Sequence, residues 1–86
     1  MTVRTLPNDL GFCRLGISVG RAAGPAVARN RIKRLIREAF RLNQARLPAG
    51  QDLVVTVQKK SPGPDWTLAR VAEELVRLAG PPGGAA

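Results

Sequence analysis

Between positions 29 and 46 seven basic side chains, Arg29, Arg31, Lys33, Arg34, Arg37, Arg41 and Arg46, stand against one acid, Glu38. Most are arginine, whose planar fork donates two parallel hydrogen bonds to a phosphate and stacks on bases, where lysine offers only a point charge. That stretch carries +6 of the chain's net +8, leaving +2 for everything else. Compositional bias alone would scatter the arginines. Here Lys33 with Arg37, Arg34 with Arg37, and Arg37 with Arg41 lie three or four residues apart, where like charges on a helix repel. A solvated helix face usually mixes signs. A partner dense in negative charge would offset the repulsion, and nucleic acid is the first candidate.

Other chemistries have little to work with. The 86 residues include no His and no Tyr. Cys13 is alone, so no intrachain disulfide or cysteine metal site can form, and no disulfide-linked partner is expected. Its neighbours Phe12 and Leu15 predict a small buried or half-buried thiol, with no histidine available to activate it. The carboxylates are Asp9, Glu38, Asp52, Asp65, Glu73 and Glu74. Glu73 and Glu74 are helix neighbours and point about 100° apart. No pair is spaced for acid–base or two-metal work, so catalysis by the protein alone is not expected. No run of about 18 apolar residues is present, and no apolar stretch precedes a small-residue cleavage site. The expectation is a cytoplasmic protein without a membrane partner.

The elements that must position these cations follow from pattern. The length allows one small domain over residues 1–80, with a disordered Pro/Gly/Ala tail at 81–86. Residues 2–6 alternate as a short strand. Pro7, Asn8, Asp9 and Gly11 are turn formers. In 14–19, Leu15, Ile17 and Val19 share one face of a second strand. These two strands are expected to pair as a hairpin across a loop of about seven residues. Gly20–Gly24 reads as a loop, with Gly24 the N-cap and Pro25 the first residue of a helix reaching about Asn43. Leu47, Pro48 and Gly50 stop it. The β-branched run in 52–58 predicts a buried strand, and 59–64 a Pro/Gly loop. Asp65 is expected to cap a last helix over Trp66–Ala79, its apolar stripe formed by Leu68, Val71, Ala72, Leu75 and Leu78, with Gly80 ending it. The order β-β-α-β-α gives an α+β fold: a small two-layer sandwich of a basic helix and a C-terminal helix on a three-stranded sheet.

At about 100° per residue, Leu42, Leu35, Ala28, Ala39, Ile32, Ile36 and Phe40 fall on one arc of the basic helix, roughly 160° wide. That arc is the core face. Lys33, Arg37, Asn30, Arg41 and Arg34 occupy the opposite side, with Glu38 and Arg31 at its edge. Arg29 falls among the apolar residues, where packing alone would not select it, so it is singled out as functional. A helix-turn-helix would need a short helix and turn before the basic helix, and residues 14–24 read as strand and loop instead. A membrane-surface helix would need a free apolar face, and this one is needed as core.

The run from Ala26 to Arg41, with Arg29-Asn30-Arg31, Lys33-Arg34 and Arg37-Glu38 inside it, resembles the defining motif of the protein subunit of bacterial ribonuclease P. Arg14-Leu15-Gly16-Ile17-Ser18-Val19 before it, and Leu47-Pro48 with Asp52-Leu53-Val54-Val55 after it, resemble the same family in order and spacing. The likeness covers about residues 14–58. It implies a helix-on-sheet sandwich with a left-handed β-α-β crossover into the basic helix, against the usual right-handed rule. It implies a non-catalytic subunit that joins a large catalytic RNA. That RNA uses Mg²⁺ to cleave the 5′ leader from precursor tRNA, and the protein holds no cofactor of its own. By position the resemblance assigns RNA contact to Arg29, Asn30, Arg31, Lys33, Arg34 and Arg37, and by extension to Arg21 and Arg41. It also implies that the leader is held on the sheet side. The chain departs from the family in lacking its N-terminal basic helix and the aromatic residues of its first strand, and in carrying Ala23 and Pro25 where a larger aliphatic and Asn are usual. The alternative function is a structural protein of ribosome or nucleoid that coats RNA or DNA without stimulating cleavage.

Overall fold

The structure, a computed structural model, describes residues 1–58 and 67–80. The expected 59–64 loop, the Asp65 cap, Trp66 as the start of the last helix and the 81–86 tail lie outside the described residues. The chain order is β1 (Thr2–Pro7), β2 (Arg14–Val19), a 3-10 turn (Arg21–Ala23), α1 (Ala26–Leu42), a second 3-10 turn (Gln44–Arg46), β3 (Gln51–Val57) and α2 (Leu68–Ala79). The α+β class and the two helices on a three-stranded sheet are as predicted.

The expected β1–β2 hairpin is not formed. The sheet order is β1-β3-β2. β1 runs antiparallel to β3, with Val3 opposite Val55 and Leu6 opposite Asp52. β2 runs parallel to β3, with Arg14 opposite Asp52 and Ile17 opposite Val55. The physical reason lies in burial. β3 carries the β-branched run and sinks Leu53, Val55 and Val57 completely into the core. A strand so apolar is covered best between two partners, whereas β2 alternates with exposed residues and β1 is exposed everywhere but at Val3, so both suit the edges. The β2–α1–β3 segment is therefore a parallel crossover, with α1 as its connection.

Both helices lie on one face of the sheet, α1 over β2 and α2 over β1, and they touch each other. Ile32, Ile36 and Ala39 of α1 meet Leu53, Val55 and Val57 of β3, together with Val71, Leu75 and Ala79 of α2, in one core. Each fully buried large aliphatic contributes roughly 1.5–3 kcal/mol. α2 is described from Leu68, two residues beyond the expected Trp66: Thr67 is its N-cap and its side chain accepts from the Arg70 N–H. Gly80 ends it at φ 90°. None of the described helices is long and apolar enough to cross a membrane.

Leu42, placed on the core arc by its angle, is 55% exposed. α1 ends there, and the following 3-10 turn swings Leu47 into the core, 3% exposed, in its stead. Cys13 is half-buried, as expected, and burial raises its thiol above the ordinary value.

Candidate nucleic-acid interface

The interface is built on α1, and the turn before it sets its angle. Gly20 N–H donates to the Val57 carbonyl at 2.9 Å, tying the start of the connection to β3. Ala23 is buried, and the chain then passes Gly24 at φ 132°. A Cβ at Gly24 would stand 3.2 Å from the Ala28 Cβ, so this position favours glycine on both counts. Pro25, expected as the first helical residue, is the N-cap instead: its ψ of 169° is extended, and the helix begins at Ala26. No acid lies in the first turn and no side chain caps it, so the positive end of the helix dipole is uncompensated.

The core of α1 faces inward through Ile32, Ile36 and Ala39, and the remaining circumference carries the cations. Asn30, Arg31, Arg34 and Arg37 are exposed; Lys33 is half-buried. Among the described residues none of these four cations has an ion-pair partner. Arg21 is exposed at the start of the 3-10 turn that abuts α1. Arg29 is half-buried, and its Nε is fully covered with no hydrogen-bond partner among the described residues. A covered donor with no acceptor is costly, which separates Arg29 from cations that simply extend into water.

Arg41 stands apart from the rest of the predicted set. Its guanidinium donates twice to the Glu38 carboxylate, and these bonds hold Glu38 below the usual carboxylate range. The helix therefore compensates Arg41 and leaves the others free. Among the described residues the compensation by Glu38 is local to this one arginine.

Two features of the molecule were not visible in the pattern. First, Arg14 is bound in a bidentate pair with Asp52, both contacts 2.8 Å. The Asn8 amide also donates to Asp52 at 2.8 Å and to the Phe12 carbonyl at 3.1 Å. Arg14 first and Asn8 second hold Asp52 down at about 2. This clasp fastens the β1–β2 connection to the start of β3; only the register of a parallel pair brings Arg14 opposite Asp52. Second, Val27 is 82% exposed beside the cation face, apolar surface that no core needs.

Of the described carboxylates, Glu38, Asp52 and Glu74 are each held by an arginine. Among the described residues no three His, Cys, Asp or Glu side chains gather in a metal-like group.

Comparison with known proteins converges on one family. A family model described as Ribonuclease P matches residues 1–80. The ribonuclease P protein component of Syntrophus aciditrophicus is 57% identical over 54 residues, 63% of this chain and 45% of that protein. That of Pelotomaculum thermopropionicum is 41% identical over 73 residues, 85% of this chain and 63% of that protein. The chain thus spans about half to two-thirds of the length of these curated relatives. Among solved structures, the RNase P protein from Thermotoga maritima, in complex with 1-(4-fluorophenyl)-2-thiourea, superposes with a TM-score of 0.80 at 39% identity, over 90% of this chain and 74% of that one. The Staphylococcus aureus RNase P protein gives 0.67 at 35% identity, over 88% of this chain and 68% of that one.

Proposed function

The chain belongs to the ribonuclease P protein family, and from that premise we propose that it is the RNA-binding subunit of a ribonucleoprotein endonuclease that removes the 5′ leader from precursor tRNA in the cytoplasm. In this reading its partners are the catalytic RNA and the precursor tRNA. The RNA holds the Mg²⁺ and performs phosphodiester hydrolysis. Among the described residues Glu38, Asp52 and Glu74 are each taken by an arginine, which is consistent with the metal being held by the RNA in this reading.

One observation carries the reading: Arg31, Lys33, Arg34 and Arg37 project from one rigid helix without acidic partners among the described residues. A helix docked by its apolar side holds these charges at fixed spacing. Binding RNA phosphates then costs little ordering of the backbone and relieves the mutual repulsion. Arg21, Arg29 and Asn30 extend the surface at the amino end of α1, where the helix dipole also favours phosphate. Arg41 joins it only by sharing its guanidinium with Glu38.

Reconstitution tests the proposal. The protein is added to a bacterial ribonuclease P RNA at low Mg²⁺ and cleavage of precursor tRNA is measured. Stimulation of cleavage is expected. Tight binding to that RNA, to unrelated RNA and to duplex DNA alike, without stimulation, would replace it with a structural coating protein.

A further inference from the structure

The cations of α1 continue past its outermost ridge toward α2. On that side Arg31, Arg34, Arg37, Glu38 and Arg41 rim an open groove of about 620 Å³. The rest of its described lining is Leu35 of α1 and Leu68 in the first turn of α2. Both leucines are half-buried, so each keeps apolar surface at the groove. The single acid of the described lining, Glu38, is already engaged by Arg41. Three arginines with no described acid partner, Arg31, Arg34 and Arg37, therefore overlook an apolar floor.

That combination discriminates among the parts of a nucleic acid. A phosphate set on Leu35 and Leu68 would lose its water and gain no donor from the floor. A duplex offers the helix ridge its phosphates and sugars, with its bases stacked inside. An unpaired base offers an apolar face to the leucines and a surface on which guanidinium planes stack. Its flanking phosphates then fall on the basic rim. We propose that the groove between α1 and α2 takes one unpaired nucleotide of the RNA bound by α1, its base on Leu35 and Leu68 and its flanking phosphates on Arg31 and Arg34. The inference rests on the reading of α1 as an RNA-binding helix, and adds a preference for unpaired over helical RNA.

The test compares the full chain's binding to an unstructured RNA of about ten nucleotides and to an RNA duplex of the same length, a size suited to one small domain. The single strand binds tighter. Leu68→Ala weakens single-strand binding by roughly three- to tenfold, leaves the duplex unaffected and leaves the salt dependence unchanged, since a base contact releases no counterions. Leu68→Met restores binding. Arg34→Ala weakens both RNAs. Photo-cross-linking of 4-thiouridine RNA to the unmodified chain gives an independent readout, with adducts expected on the segments holding Leu35 and Leu68. Equal binding of both RNAs, a Leu68→Ala effect within twofold on the single strand, or cross-links confined to other segments would each overturn the groove. A chain that binds neither RNA would instead sink the RNA-binding reading of α1 beneath it.

Discussion

Arg34→Ala set beside Arg41→Ala separates free charge from compensated charge on the same helix. Arg21, Arg29, Arg31, Lys33, Arg34 and Arg37 have no ion-pair partner among the described residues, whereas Arg41 is shared with Glu38. Each phosphate neutralised contributes about 0.7–0.9 to the slope of log affinity against log salt. Six contacts give a slope of about −4 to −5, a loss of roughly a thousandfold in affinity between 50 and 200 mM salt. Removing Arg34 should reduce the slope's magnitude by about 0.7–0.9. Over that fourfold salt range the variant then loses about threefold less affinity than the parent. Removing Arg41 also leaves Glu38 uncompensated, so affinity falls, but the slope changes by less than it does for Arg34→Ala. Filter binding or anisotropy against ribonuclease P RNA at five or more salt concentrations reads both. Equal slope changes for the two variants would refute the division, and a parent slope near zero would refute phosphate contact altogether.

Ile36 is fully buried where α1 meets the sheet. Ile36→Ala should cost about 2–5 kcal/mol and lower the melting temperature by more than about 10 °C in a domain this small, as read by circular dichroism. Asp52 sits at about 2 in the folded chain against ~3.9 unfolded. Its clasp with Arg14 and Asn8 therefore stabilises fully above the unfolded value and is lost as pH falls toward 2. Thermal melts across that window should show a steeper acid loss for the parent than for Asp52→Asn; parallel curves would refute the clasp. Gly24→Ala forces a side chain into φ 132° and against Ala28, and should destabilise by roughly 1–3 kcal/mol in urea titration.

How far the sequence reveals this molecule depends on whether each feature is local. α1 and the stripe of α2 repeat every three or four residues, so their inward faces were readable apart from the end of α2, where Ala79 rather than Leu78 enters the core, and so was the gathering of cations opposite Ile32 and Ile36. Strand pairing is a property of two distant segments. The turn formers Pro7, Asn8 and Asp9 suggested a hairpin, but β3 buries Leu53, Val55 and Val57 and takes both neighbours for itself. The clasp at Asp52 follows from that register and was hidden with it. Leu42 was misplaced because an angular projection continues a helix past the point where its chain turns away. At the site, periodicity identified which residues project together, but the capture of Arg41 by Glu38 and the covered Nε of Arg29 depend on side-chain conformation.

The position of β3 has a consequence for biogenesis. Neither β1 nor β2 has a strand partner until residue 57 has been synthesised. A nascent chain that has not yet reached β3 exposes two lone strands and a basic helix whose aliphatic side has β2 but lacks β3 and α2. Assembly waits for the last strand and then proceeds as one non-local event, the kind that is slow for its size. The arginine helix cannot be excised as an autonomous peptide module, because the surface that holds it in place is shared between β2 before it and β3 and α2 after it.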